Sequence, residues 1–296
     1  MNKIRGLSAF PVTPATVDGR VDTDALQLLL KRSVDAGADS IGLLGSTGSY
    51  PYFTREERRR AIAAASECVG DRVPLLVGIG SLRTGDVVEL ARDAKLAGAS
   101  AGLLAPVSYA PLRDEEVFGL FEAVAEVGLP LCIYNNPGTT HFTFSPELVA
   151  RIAVLHGVVA VKNPAPGPGE VARAVLDLRA RVPAEFSIGF SVDWHAVDAL
   201  LAGGEAWYSV FGGICPRICV ELTRAAQAGD AAKAREINGR LQPVWDLFRT
   251  HSSYRVVHLM AQLSGIANAV PPRPVKPLSG EAAREVERVF GDIDLG

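Results

Sequence analysis

Lys162 closes the apolar run Val158–Val161 in the segment VVAVKNP. A strand made of such side chains is buried on both faces, so it carries the lysine to its carboxyl end with little water around it. Desolvation disfavours the charged form, and a neutral buried amine attacks carbonyl carbons, the first step toward a Schiff base. The plainer alternative is a structural lysine whose tip snorkels to solvent. Tyr134 ends another apolar run in CIYNNPGTT. On the strand next to Lys162, its phenol can shuttle protons while a carbinolamine forms and loses water; the competing reading is a tyrosine packed in the wall. The turn Gly45-Ser46-Thr47-Gly48 supplies backbone amides and two hydroxyls, a set suited to a small carboxylate, although a strand exit also uses glycine turns without any ligand.

Positioning these groups requires a scaffold in which strand ends converge. Short β-rich runs alternate with helical stretches, and the candidate strands are Leu7 to Val12, Ser40 to Leu44, Pro74 to Gly78, Ala101 to Leu104, Pro130 to Asn135, Val158 to Lys162, Phe186 to Gly189 and Ala206 to Val210. Asp22, Thr54 and Thr84 mark helix entries, and Gly37, Gly70, Gly98 and Gly128 mark helix exits. Eight such units without a dinucleotide fingerprint fit an α/β fold of the (β/α)8 TIM-barrel type, with its active site at the carboxyl ends of the strands. The expected division is a catalytic barrel over 1–215 and a helical C-terminal extension over 216–296, with PPRPVKP (Pro271 to Pro277) as a stiff connector.

The chain has 296 residues, 48% hydrophobic and 21% charged, with a formal net charge of -3 and no basic block, which argues against nucleic acid and anionic membranes as partners. No apolar stretch has the roughly 18–20 residues of a membrane span, and the start lacks a signal core, so the expectation is a soluble cytoplasmic protein with a small-molecule ligand. Cys68, Cys132, Cys215 and Cys219 lack metal or redox spacing, and His141, His156, His195, His251 and His258 are scattered. Neither a metal nor a cofactor is expected. Phe211-Gly212-Gly213 before a helix near Pro216, with Arg217 next, leaves a phosphate site as a minor alternative.

Taken in order, AFPVTP, GSTG, YNNPG, VKN and RPVKPLSGE resemble the dihydrodipicolinate synthase and N-acetylneuraminate lyase superfamily, pyruvate-handling class I aldolases built on this barrel; the likeness covers nearly the whole chain. The resemblance implies that Lys162 forms the Schiff base with pyruvate or another 2-oxo acid and that Tyr134 relays protons. It places Ser46, Thr47 and Gly48 at the carboxylate, with Thr47 also passing a proton toward Tyr134, and it implies a homo-oligomer, dimer or tetramer. The chain is an atypical member. Ser108 stands at the synthase's relay tyrosine, with Tyr109 one residue on, and Ser49 replaces an acidic residue after the glycine turn. Thr139 replaces an arginine that binds the aldehyde partner, a loss of about 1.5–3 kcal/mol for a charged partner. Tyr208 brings bulk to a pocket wall that is small in the synthase. Ser108, Tyr109, Thr139 and Tyr208 are therefore expected around the substrate. The expected activity is a carbon–carbon lyase or aldolase acting on a 2-oxo acid and an aldehyde. The alternatives are 4-hydroxy-tetrahydrodipicolinate synthase proper, a sugar-acid dehydratase using the same imine, and a barrel that binds 2-oxo acids without turnover.

Overall fold

The computed structural model describes residues 4–293, so the outer ends of the two expected units lie outside the described residues. The elements run β1 (Gly6–Ala9), α1 (Thr23–Asp35), β2 (Ser40–Leu43), α2 (Arg55–Val69), β3 (Leu75–Gly78), α3 (Thr84–Leu96), β4 (Ala101–Leu104) and α4 (Asp114–Ala125). They continue β5 (Leu131–Tyr134), α5 (Pro137–Thr140), α6 (Pro146–Ala153), β6 (Val158–Pro164), α7 (Pro168–Arg179), β7 (Ser187–Ser191), α8 (Ala196–Leu201) and β8 (Ala206–Ser209). The C-terminal helices are α9 (Pro216–Gln227), α10 (Ala231–Arg240), α11 (Gln242–His251), α12 (Ser253–Leu263) and α13 (Gly280–Asp292). The strands are parallel and close into a barrel in sequence order, β1 pairing with both β2 and β8. This is a (β/α)8 TIM barrel, as the alternating runs predict.

Side chains alternate across each strand, and the alternation separates two apolar clusters. Leu7, Ile41, Leu75, Val77, Ile133, Val161, Ile188 and Trp207 join the core between sheet and helices. Leu76, Leu103, Cys132, Tyr134, Ala160, Ala206 and Tyr208 fill the barrel with Phe10. Lys162 follows Ala160 by two residues and so shares its inward side. β1 stops at Ala9, short of the expected Val12, because Pro11 and Pro14 have no N–H for the ladder. β6 and β7 run longer than expected, since Asn163 and Pro164 pair with Phe190 and Ser191.

Asp22 caps α1 by accepting from the Ala25 amide, and Thr54 caps α2 by accepting from that of Glu57. Thr84 does not cap α3: it is already the first helical residue, and Arg83 holds the cap position without a side-chain bond. The four expected helix-exit glycines all have positive φ, between 55° and 89°. α9 packs against β1, α8 and α1, which is the outer position of an eighth barrel helix. The expected division at 215/216 falls in front of α9. Phe211, Trp245 and Phe248 tie that extension to the turn after β8, with ring centroids 5.6–6.3 Å apart. Among the described residues no helix is long and apolar enough to cross a membrane.

Candidate active site

Lys162 is 3% exposed, and its Nζ lies 3.7 Å from the ring centroid of Phe10, 4.3 Å from that of Tyr134 and 5.7 Å from that of Tyr208. Among the described residues it has no ion-pair partner. Three aromatic faces attract its ammonium form but accept no proton, so the amine is held without a carboxylate to neutralise it. Glycines on the neighbouring strands make the box possible. A Cβ at Gly42 would sit 2.2 Å from the Phe10 ring, and one at Gly189 would sit 2.4 Å from that of Tyr208. Phe10 and Tyr208 meet edge to face at 5.9 Å, so each ring braces the other.

Tyr134 and Lys162 are register partners across β5 and β6. The Tyr134 hydroxyl lies 3.2 Å from Ser46 Oγ, and Asn136 Nδ2 donates to both, at 3.1 and 3.0 Å. The same amide nitrogen lies 2.7 Å from Thr139 Oγ1, so its two protons are shared among three hydroxyl oxygens. Ser46 and Tyr134 share one hydrogen bond and both accept from Asn136, which leaves one of their two hydroxyl protons to offer a bound molecule. A phenol and a serine hydroxyl tied this way make a short hydrogen-bonded chain from beside the amine toward the turn after β2.

That turn is built by absence of side chains. A Cβ at Gly45 would meet the Phe10 ring at 2.8 Å, and one at Gly48 would meet the Leu44 backbone at 3.0 Å. The amides of Ser46, Thr47 and Gly48 donate to no protein acceptor among the described residues. Beyond the turn Tyr50 is buried, and its carbonyl accepts from Arg58 Nε and Nη2, while Arg58 Nη1 donates to the Gly80 carbonyl. Burial pulls the Arg58 guanidinium down to about 10, against the Tyr50 phenol beneath it. Burial also pushes the Tyr50 phenol up, helped by the nearby Tyr134 and opposed by Arg58, so Tyr50 is a neutral phenol at the mouth.

The turn after β8 is occupied by the protein itself. Asp193, 3% exposed, accepts from Trp207 Nε1 at 2.8 Å and from the Phe211 amide at 2.9 Å. The Gly212 amide is taken by Ser209 Oγ and the Gly213 amide by the Val210 carbonyl. A phosphate would need those amides, so the Phe211–Gly213 alternative is corrected: its donors are already bonded. Burial raises the Asp193 carboxyl against its amide and indole donors and the charge of Lys162. Among the described residues no group of three or more side chains is placed to hold a metal ion.

The structure gathers Lys162, Tyr134, Ser46 and Thr139 at one mouth, with the Thr47 and Gly48 amides beside them. Thr47 is buried and makes no side-chain hydrogen bond among the described residues, so the hydroxyl on Tyr134 is that of Ser46. Ser108 lies half-buried on the loop after β4. Tyr109 is 99% exposed, because that loop carries it outward, and within this chain it does not reach the mouth. Tyr208 is fully buried beneath Lys162 with its hydroxyl 3.7 Å from Cys132 Sγ; it supports the amine and does not line an open pocket wall. Burial raises the Cys132 thiol to about 12, keeping it protonated under the lysine. Sequence reasoning missed Phe10, Asn136, Tyr50 and Asp193. Phe10 and Asn136 stand inside AFPVTP and YNNPG, at strand exits where the same test that found Tyr134 applies.

Residues 3–292 match the Dihydrodipicolinate synthetase family. A 4-hydroxy-tetrahydrodipicolinate synthase of Leptothrix cholodnii is 34% identical over 296 residues, covering 100% of both chains. One of Kosmotoga olearia is 32% identical over 292 residues, covering 98% of this chain and 99% of the relative. Among solved structures, a dihydrodipicolinate synthase of Agrobacterium tumefaciens superposes with TM-score 0.96 at 48% identity, covering 98% of each chain. One of Thermotoga maritima superposes with TM-score 0.92 at 26% identity, covering 99% of this chain and 100% of the other.

Proposed function

The chain belongs to the dihydrodipicolinate synthetase family, a family of lyases, and from that premise we propose that Lys162 forms a Schiff base with pyruvate or another 2-oxo acid. The observation that carries this reading is an amine 3% exposed, boxed by Phe10, Tyr134 and Tyr208, with no carboxylate partner among the described residues. Neutral Lys162 attacks the 2-oxo carbon, and the carbonyl oxygen takes a proton from Tyr134. The cationic nitrogen then returns a proton to the phenolate, and loss of the oxygen as water, with a proton from the re-formed phenol, leaves the protonated imine beside the phenolate. The imine accepts the electron pair of a breaking carbon–carbon bond and becomes an enamine; in reverse, the enamine carbon attacks an aldehyde. Ser46 and Asn136 hold the Tyr134 hydroxyl in line for each transfer. The amides of Ser46, Thr47 and Gly48 receive the 2-oxo acid's carboxylate, acting as a fixed set of donors.

The aldehyde partner in this reading is poor in negative charge, because Thr139 already serves Asn136 and offers no cation. The names of the Leptothrix and Kosmotoga relatives favour a second reading, 4-hydroxy-tetrahydrodipicolinate synthase proper. Thr139 and Ser108 speak against it, since neither replaces the charge or the phenol of that enzyme. Four free cysteines support a reducing, cytoplasmic setting, and assembly as a dimer or tetramer belongs to the same proposal. The test is trapping: incubation with pyruvate, borohydride reduction and peptide mass spectrometry. An adduct on Lys162, absent in Lys162→Ala and slowed in Tyr134→Phe, is expected. No adduct with pyruvate or any close 2-oxo acid refutes the reading.

A further inference from the structure

Tyr254, on the C-terminal extension, reaches back 205 residues to Ser49, and the two hydroxyls lie 2.7 Å apart. Ser49 is fully buried and adopts left-handed backbone, φ 59°, directly after Gly48. A non-glycine residue keeps that conformation when its surroundings hold it. Tyr254 is itself held. Its ring lies 4.5 Å from that of His258, and its carbonyl accepts from His258 Nδ1 at 2.7 Å. His258 is 1% exposed, and burial pushes its imidazole down to about 4, so the support stays neutral through the ordinary pH range. Burial likewise raises the Tyr254 phenol, with Ser49 opposing, and the pair meets as two neutral hydroxyls.

We propose that Tyr254 is a positioning residue for the 2-oxo acid: through Ser49 it fixes the exit of the Ser46–Gly48 turn, and so the amides that receive the carboxylate. The inference rests on the imine reading. It gives the C-terminal extension a part in the chemistry of the barrel, exerted through geometry, since neither hydroxyl carries charge. Substrate binding then depends on the pair while the imine step itself does not. Removing one hydroxyl leaves the other buried without its partner; removing both leaves no orphan.

The experiment measures trapped Lys162 adduct against pyruvate concentration in Tyr254→Phe, Ser49→Ala and the double variant. Each single variant is expected to raise the half-saturating concentration about three- to tenfold (about 0.7–1.4 kcal/mol). The rate at saturation is expected to stay within about twofold, and the double variant to match a single one, because the two act as one unit. An unchanged half-saturation overturns the proposal. So does a parallel fall in the saturating rate, or a double effect equal to the product of the singles. Hydrogen exchange at the Ser49 and Tyr50 amides, which close the turn on the Ser46 and Gly45 carbonyls, measured without substrate, separates this failure from that of the imine reading. Faster exchange in Tyr254→Phe supports the clamp even where wild type forms no adduct, and unchanged exchange overturns it.

Discussion

Replacing His258 by glutamine isolates one titration from all the others. In the folded protein burial takes this imidazole from its ordinary 6.5 down to about 4, and the Tyr254 carbonyl opposes the shift only in part. No charged side chain contributes, and Nε2 has no partner among the described residues. The unfolded chain takes up its proton near pH 6.5. The stability contributed by the neutral ring is therefore fully present above that pH and is lost as pH falls toward 4. At about 1.36 kcal/mol per pH unit the complete loss is about 3 kcal/mol, of which about 2 kcal/mol is gone by pH 5. Urea unfolding of wild type and His258→Gln at pH 8 and pH 5 reads it directly. Other groups titrate alike in both proteins and cancel in the difference. Wild type should lose about 2 kcal/mol more than the variant between the two pH values. A gap between the proteins that is the same at both pH values, within about 0.5 kcal/mol, refutes the assignment.

Lys162→Met should abolish the borohydride adduct yet raise stability by about 1–3 kcal/mol, because it replaces a buried unpaired amine by an apolar chain among three rings; a lower melting temperature contradicts this. Gly42→Ala places a methyl 2.2 Å from the Phe10 ring. It should cost about 1–3 kcal/mol in urea unfolding and slow trapping, since the displaced ring also flanks Lys162; normal trapping at reduced stability would separate the ring from the amine. Asp193→Asn must turn an NH2 group toward either the Trp207 indole or the Phe211 amide, both donors. A loss of about 2–3 kcal/mol is expected, and stability equal to wild type counts against a paired carboxylate there.

Much of this was legible because the barrel writes itself locally. Each strand is an apolar run, each helix has its own entry and exit residues, and sequence order is spatial order, so Tyr134 and Lys162 are neighbours once both are seen to end a run. What escaped depends on volume and on distance along the chain. Phe10 covers Lys162 because Gly42, on another strand, has no side chain, a fact about space across the barrel. The bulk of Tyr208 reads as a changed pocket wall, yet the hollow at Gly189 takes the ring below the mouth. The path of the loop after β4 decides that Tyr109 points outward, and no local signal in APVSYAP fixes that path. Thr47 and Ser46 look equivalent in GSTG; only the turn's curvature brings the serine to Tyr134.

The bond between Ser49 and Tyr254 also bears on the order in which a growing chain matures. At roughly 5–20 residues per second, the 205 residues separating the partners take roughly 10–40 s to synthesise. For that interval the glycine turn, the first strands and, later, Lys162 itself exist without the phenol that fixes the turn's exit. A nascent barrel can thus be closed by β8 before its binding loop is set, so under the proposed clamp full affinity for the 2-oxo acid, and not the imine step itself, waits for the extension.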